Sequence, residues 1–357
     1  MTYVIAAALA LILFSAWMAA YANLRSSALS HHDHAPNEPK NKSAPPSAEH
    51  HEVVDLISGM TSSRRGRLPR KELIADMRAR LDAVGERADL TGIEIRQLDH
   101  PKGEWVLAPN SDPDKRLLYI HGGAFMAGSP RSHRTITTKY ARQQGASVFA
   151  VDYRLLPEHK RLDCLEDCQT AYRWILEHGP EGPADAANII ISGDSAGGNL
   201  ALVVAAWARD DGLRQPDSII AIAPLTDNTF TSPTLISNVD SDPMLGKTVG
   251  RLASAPKTLM YWLNWLSTRV KPTDPRLSPA HGDLTKLPPT LIHASEAELL
   301  LGDARRYANK AAAAGSPVTL ATWEHMVHVW HIFEPTLPEA QQAFEHIDDF
   351  LKHNAAI

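Results

Sequence analysis

The sequence contains few cysteines and lacks the motifs that bind phosphate groups or zinc. Its 357 residues include two cysteines, Cys164 and Cys168, which are too few for a disulfide framework. There is no Gly-x-x-x-x-Gly-Lys element, no zinc-site spacing of Cys and His, and no basic stripe. We therefore expect no nucleic-acid partner, no metal and no organic cofactor.

The composition is that of a globular protein. Apolar residues make up 44% of the chain and charged residues 22%, and the formal net charge is −5. A chain of this length forms either one large α/β domain with a cap or two ordinary domains. The slight acidic balance identifies no partner, and the composition does not indicate an oligomeric state.

Short apolar segments alternate with helical segments over most of the chain. Strand-like runs occur at residues 93–98, 105–108, 117–120, 148–153, 189–191, 219–223, 290–294 and 318–323. From the third run onward they are separated by helical stretches at 132–144, 163–177, 199–209, 303–315 and 338–352. This alternation predicts an α/β fold with a mostly parallel sheet flanked by helices.

A Gly-x-Ser-x-Gly element, residues 193–197, lies between one of these strands and an apolar helix. A sharp strand–turn–helix connection needs glycine on both sides of the serine, and it exposes the serine hydroxyl at a helix N-terminus. The setting predicts Ser195 as a nucleophile. We interpret Asp194 as a brace of the turn.

A second motif, His121-Gly122-Gly123, follows the strand at 117–120. Acyl transfer develops negative charge on a carbonyl oxygen, which preorganised backbone N–H groups stabilise. Consecutive glycines let the backbone approach that oxygen closely. We predict oxyanion donors at Gly122 and Gly123, together with the amide of Ala196, and we expect His121 to hold the loop by hydrogen bonds.

These motifs resemble those of the hormone-sensitive-lipase-like carboxylesterases of the α/β-hydrolase superfamily. Further matching segments are residues 152–159, 242–245, 287–292 and 326–328, so the resemblance extends from about Gly92 to the C-terminus. It implies an α/β-hydrolase fold with a helical cap. It also implies hydrolysis of carboxylic esters with short to medium acyl chains.

The resemblance also implies the base that activates the serine. The family places it as the last residue of a Gly-Met-x-His unit after the final strand. The corresponding unit here is His325-Met326-Val327-His328, which makes His328 the base. His325 departs from the family pattern by replacing the glycine.

The acid that orients the base comes between the serine and the histidine in α/β-hydrolases. Alignment of residues 295–298 on the family's acid turn gives Glu298, with glutamate in place of the usual aspartate. Asp303 is the alternative acid. Its other interpretation is a charge near a helix N-terminus that complements the helix dipole.

Two segments outside the alternation are implied by the resemblance to form the cap. They are the N-terminal cap helices, residues 52–91, and an insertion at 228–277, which leave the hydrolase core to 92–227 and 278–357. The insertion carries Trp262 and Trp265 on a helical period. These tryptophans are candidates for lining the substrate channel, with packing inside the cap as the alternative.

The N-terminal segment has a different composition from the rest of the chain. Val4 to Ala22 contains no charged residue and is long enough to cross a bilayer core. Residues 1–24 are therefore predicted to be either a retained membrane anchor or a signal peptide cleaved after Ala22. Residues 25–51, rich in His, Pro and Ser, are predicted to be a disordered linker. We expect a membrane-anchored or exported (periplasmic or secreted) protein.

Together, these observations predict a serine hydrolase that cleaves small-molecule carboxylic esters through an acyl-enzyme. Hydrolysis of amides, formamides or lactones by the same residues is the alternative reaction. A ligand-binding protein without activity is disfavoured by the presence of His328 and of an intact turn around Ser195.

Overall fold

A computed structural model of the chain describes residues 1–35, 45–62 and 69–354. Its α-helices are α1 Thr2–Ser26, α2 Ala48–Ser62, α3 Arg70–Gly85, α4 Arg134–Gln144, α5 Arg161–Glu177, α6 Ala196–Asp210, α7 Thr234–Ser237, α8 Arg251–Ala253, α9 Lys257–Thr268, α10 Leu301–Ala313 and α11 Pro338–Asn354. Short 3₁₀ turns lie at Ser30–His32, Arg131–His133, Pro279–His281 and Trp330–Phe333, and a π-helical turn lies at Gly246–Gly250.

The main sheet contains eight strands. They are β1 Glu94–Asp99, β2 Lys102–Leu107, β3 Asp112–Ile120, β4 Ala146–Val151, β5 Asn188–Asp194, β6 Ser218–Ile222, β7 Thr290–Ser295 and β8 Val318–Trp323. Their order across the sheet is β1-β2-β4-β3-β5-β6-β7-β8. The neighbours from β4 to β8 pair in parallel, whereas β2 is antiparallel to both β1 and β4. The predicted fold class is confirmed.

Strand β3 begins at Asp112, five residues before the predicted start at Leu117. Its first residues are polar and exposed, and the apolar, buried part begins at Leu117. A prediction based on apolar runs therefore finds only the buried half of this strand.

Alternate side chains of the central strands fill two separate cores. In β3, Leu117 and Tyr119 belong to the core on one face of the sheet, where α4 and α11 pack. Leu118 and Ile120 belong to the core on the other face, with α5, α6 and α10. This period-two pattern of wholly apolar strands is what a parallel sheet covered on both faces requires.

The chain that follows α1 packs on the core, which corrects the predicted disordered linker at 25–51. Leu29 is buried, and both carboxylate oxygens of Asp33 accept hydrogen bonds from Arg306 of α10. Ser47 donates two hydrogen bonds of 2.8 Å to the carboxylate of Glu339, and α2 begins at Ala48. These contacts are made with distant residues, so composition alone does not reveal them. The remaining part of the predicted linker, 36–44, lies outside the described residues.

The insertion between β6 and β7 contains α7, α8 and α9, and α9 lies against α1. The Trp262 indole donates a hydrogen bond of 3.1 Å to the carbonyl of Ala16.

Because the parallel strands end at the same edge of the sheet, the segments that follow β5, β7 and β8 converge at that edge.

Candidate active site

Ser195 lies in a strained turn between β5 and α6. Its φ is 52° and its ψ −114°, a conformation that L-residues rarely adopt. A Cβ at Gly197 would lie 1.9 Å from the carbonyl oxygen of Ile120, so only glycine fits at residue 197, the second position of α6. The tight turn leaves the serine at the N-terminus of α6, as the strand–turn–helix motif predicts.

His328 reaches Ser195 from the loop after β8. Its Nε2 lies 2.9 Å from Ser195 Oγ, and its ring is buried. The next residue, Val329, has a φ of 52°, which turns the chain sharply into the 3₁₀ turn at Trp330–Phe333. The replacement of the family's glycine by His325 leaves this contact in place.

Glu298 occupies the other side of the imidazole. Its Oε2 lies 2.5 Å from His328 Nδ1, and its Oε1 accepts a 2.8 Å hydrogen bond from the backbone N–H of Ser295. Both oxygens of this fully buried carboxylate therefore have partners. The side-chain amide of Asn238, in the insertion, donates to the carbonyls of Glu296 and Glu298 and fixes the acid turn.

The pKa values of His328 and of Glu298 are both raised, and each reflects a balance between burial and the contact with the other group. Burial by itself lowers the pKa of His328, but the hydrogen bond and the charge of Glu298 outweigh burial, and the pKa is raised. Burial raises the pKa of Glu298, and the hydrogen bonds from His328 and Ser295 oppose that increase. This arrangement is suited to stabilise an imidazolium at His328.

Asp303, the alternative acid, has other partners. Its Oδ2 accepts hydrogen bonds of 2.9 and 2.8 Å from the backbone N–H groups of Thr226 and Asp227. It is fully buried in the first turn of α10. The structure therefore brings Glu298, and not Asp303, to the imidazole of His328.

The loop after β3 departs from the prediction at Gly122. Its N–H donates a 2.9 Å hydrogen bond to Oδ1 of Asp194, so Gly122 is not a free oxyanion donor and this prediction is corrected. A Cβ at Gly122 would lie 2.1 Å from Oδ2 of the same carboxylate. Asp194 also accepts a 2.6 Å hydrogen bond from the hydroxyl of Tyr119. It is therefore a brace between the two motifs, as its position in the turn suggests.

Three other amides in this region are available. Within the described residues, the backbone N–H groups of Gly123, Ala124 and Ala196 have no acceptor. Gly123 has a φ of 110°, and a Cβ there would lie 2.2 Å from the carbonyl oxygen of Ala127. Ala124 was not a candidate from the sequence, because only the two glycines signalled close approach of the backbone.

His121 supports this loop from below. Its Nδ1 lies 2.8 Å from the carbonyl oxygen of Gly122, and its ring stacks on Tyr153 with centroids 4.2 Å apart. Burial, together with the neighbouring His133, lowers the pKa of His121 to about 4. A neutral ring that bonds to the backbone matches the predicted role of holding the loop.

A cavity of about 700 Å³ lies between α2 and residues 239–247 of the insertion. Its wall includes Val54 of α2 and Val239 of the insertion. It also includes Ala297 and Val327, each of which precedes a residue of the Glu298–His328 pair. The two segments predicted to form a cap therefore border an open space whose wall contains the chain neighbours of Glu298 and His328, whereas Ser195 is not part of that wall.

The two candidate tryptophans of α9 lie against α1 and against each other. Trp262 bonds to Ala16, and its ring contacts Trp265 edge to face at 5.6 Å. Neither lines the cavity beside the triad. Their prediction as substrate-binding residues stays untested, and the contacts present in the structure are packing contacts.

Comparison with known proteins places the chain in a family. A family profile described as alpha/beta hydrolase fold matches residues 117–332. An acetyl-hydrolase of Streptomyces hygroscopicus is 35% identical over 301 residues, which cover 84% of this chain and 95% of that protein. The chain belongs to the α/β-hydrolase family.

One solved structure and a second relative by sequence narrow the assignment further. An esterase from the bacterial hormone-sensitive lipase family has a TM-score of 0.76 and 32% identity, covering 87% of this chain and 99% of that one. The carboxylesterase/phospholipase LipF of Mycobacterium tuberculosis is 34% identical over 246 residues, or 67% of this chain and 62% of LipF. The predicted membership in the hormone-sensitive-lipase-like group is confirmed.

Proposed function

We propose that the protein hydrolyses carboxylic esters, with Ser195 as nucleophile, His328 as base and Glu298 as the acid that orients it. The observation that carries the proposal is the continuous chain of contacts, 2.5 Å from Glu298 to His328 and 2.9 Å from His328 to Ser195. The esterases among its relatives support the class of reaction.

Acylation begins when Ser195 Oγ attacks the ester carbonyl carbon and His328 Nε2 takes the hydroxyl proton. The carbonyl oxygen becomes an oxyanion, which the N–H groups of Gly123, Ala124 and Ala196 stabilise. The tetrahedral intermediate collapses, the C–O bond to the alcohol breaks, and His328 gives its proton to the leaving alkoxide.

Deacylation repeats these steps with water. His328 takes a proton from a water molecule while the water oxygen attacks the acyl carbonyl carbon. The bond from that carbon to Ser195 Oγ then breaks, and His328 gives the proton to Ser195 Oγ. Glu298 holds the imidazole in the tautomer with Nδ1 protonated throughout, so Nε2 is free to accept. No other group is needed to balance the reaction.

Short to medium acyl chains are the proposed substrates, held in the cavity between α2 and the insertion. Its volume of about 700 Å³ falls in the range of pockets that hold small molecules. Val54, Val239 and Val327 give part of its wall an apolar character that suits an acyl chain.

We propose further that α1 is retained as a membrane anchor. Of the helices that the structure describes, α1 is long and apolar enough to cross a bilayer, with a mean hydropathy of 2.2 over its most apolar 18 residues. The packing of α9 on α1 supports retention, because cleavage after Ala22 would remove the hydrogen-bond partner of Trp262.

Ser195→Ala tests the proposed nucleophile. We expect kcat/KM for a short-chain ester to fall by about 10⁴-fold or more, because the triad acts as a unit. The exposed Ser267→Ala on α9, whose hydroxyl bonds to the carbonyl of Asn264 in the same helix, is the matched control and should keep wild-type activity. Thermal unfolding of both variants should match the wild type. An active Ser195→Ala enzyme would contradict the proposal.

A further inference from the structure

Helix α1 presents a largely uncovered apolar surface. Exposed large side chains run along much of it, among them Ile5, Leu9 and Leu13. Two of its aromatic residues lie toward the C-terminal end, where Trp17 stacks on Tyr21 with centroids 5.4 Å apart, and Tyr3 lies at its N-terminal end. Aromatic side chains at one end of an apolar helix are typical of the level at which a bilayer meets water.

Helix α9 has an apolar face of its own. Leu259, Leu263 and Leu266 follow one another at intervals of four and three residues and are 49%, 46% and 51% exposed. This spacing puts them on one face. Met260 and Tyr261, on the other side, are buried. Because an exposed apolar stripe usually marks a contact surface, the leucines require an occupant.

The contact between the two helices fixes the depth of α9 relative to the apolar segment. Trp262 bonds to the carbonyl of Ala16, six residues before the last residue of the uncharged run at Ala22. Six residues of helix correspond to about 9 Å. If residues 4–22 cross the hydrocarbon, the Trp262 indole therefore reaches into the leaflet in which that run ends, and α9 lies at that side of the bilayer.

The side chains at the two ends of α9 suit a helix that lies at a membrane surface. Lys257 begins the helix and Arg269 follows its end, with the guanidinium 5.5 Å from the ring centre of Trp265. Basic residues next to aromatic and apolar ones are characteristic of helices that lie in the plane of a membrane surface. Anionic headgroups would pair with the exposed Arg269, whereas the Lys257 ammonium donates a hydrogen bond to the carbonyl of Ala253.

We propose that α9 is a second membrane contact of this protein, with its leucine face inserted into the leaflet in which the apolar run of α1 ends. This placement rests on the proposed retention of α1. The occupant of the leucine face is lipid. The segment between β6 and β7 then holds the hydrolase core against the membrane surface, in addition to the attachment through α1.

Depth-dependent fluorescence quenching tests this contact in the full chain. Leu263→Cys is labelled with a small fluorophore, and the protein is placed in vesicles of phosphatidylcholine and phosphatidylglycerol with or without brominated acyl chains. The two native cysteines are fully buried and leave residue 263 as the reactive thiol. Gln342→Cys, exposed on α11, is the matched control.

We expect brominated lipid to quench the label at residue 263 at least threefold more than the label at residue 342. Equal quenching at both positions in vesicle-bound protein would overturn the proposal. Self-quenching at residue 263 without quenching by brominated lipid would mean that a second copy covers the leucines, which also overturns it. Hydrolysis of a water-soluble short ester by both labelled variants shows that they are folded. It reports on the catalytic proposal independently of the quenching.

Discussion

Two carboxylates that follow β7, Glu298 in the turn before α10 and Asp303 in the first turn of α10, are both buried but have different partners. Glu298 contacts the imidazole of His328 and the N–H of Ser295. Asp303 instead accepts hydrogen bonds from the backbone N–H groups of Thr226 and Asp227. The comparison shows that two buried carboxylates differ in what their charge can stabilise, because their partners differ, and we base the proposed role of Glu298 on this difference.

The same contrast is seen in their electrostatics. Burial, and next the neighbouring carboxylate of Asp227, raises the pKa of Asp303 to about 7. For Glu298, burial is opposed by a base that becomes positive as the reaction proceeds. In the proposed mechanism the charge of Glu298 is coupled to proton transfer, whereas Asp303 joins the first turn of α10 to the segment that follows β6.

The largest expected effect separates these two acids directly. Glu298→Gln keeps size but cannot stabilise the imidazolium, and the corresponding change in a serine protease lowers kcat about 10⁴-fold. We expect a loss of at least about 100-fold here, whereas Asp303→Asn should stay within about threefold of wild type, since its amide oxygen can still accept both N–H groups. Steady-state kinetics with one short ester at neutral pH measures both. A crippled Asp303→Asn beside an active Glu298→Gln would reverse the assignment.

A smaller effect concerns the pH dependence. His328 must be neutral to act as a base, and Glu298 raises its pKa, so kcat/KM should fall as the pH drops through that raised value. Without the carboxylate the imidazole loses its charged partner while it remains buried. The acid limb of the residual activity of Glu298→Gln should therefore move to lower pH. An unmoved acid limb would mean that another group controls it.

The smallest effect concerns the Asp303 side of the comparison, where Asp33 pairs with Arg306. Asp33→Asn should lower the free energy of unfolding by about 1 kcal/mol and leave kcat unchanged, because Arg306 is buried and Asp33 is partly screened by solvent. Asp76→Asn, which removes an exposed pair with Arg80 on α3, should cost only a few tenths of a kcal/mol. Denaturant unfolding compares them. Equal small losses would mean that residues 27–35 contribute little to the fold.

The features that the sequence predicts well are those decided by local geometry. The turn at Ser195 needs glycines within two residues, and the strands β3 to β8 need apolar runs, so both leave a local pattern. The positions of Glu298 and His328 came from the resemblance to a family. Spacing along the chain could not predict them, because Ser195 and His328 are 133 residues apart and are brought together only when β5 and β8 join the same sheet.

The features that the sequence missed are contacts between distant segments. The N–H of Gly122 donates a hydrogen bond to the carboxylate of Asp194, 72 residues away. The proposed oxyanion donors therefore include Ala124 and exclude Gly122. Asp33 finds Arg306 across 273 residues, in a segment whose composition indicates a linker. No local rule on glycine or on polar composition detects a partner that is brought close only by folding.

Covalent labelling tests the central claim, that Glu298, His328 and Ser195 form one catalytic unit, most directly. An organophosphonate ester that reacts with activated serines is incubated with wild type, Glu298→Gln and Asp303→Asn, and the labelled peptides are identified by mass spectrometry. We predict one adduct per chain, on Ser195, formed at wild-type rate in Asp303→Asn and at least about 100-fold more slowly in Glu298→Gln. An adduct on another serine, or equal rates in wild type and Glu298→Gln, would contradict the account.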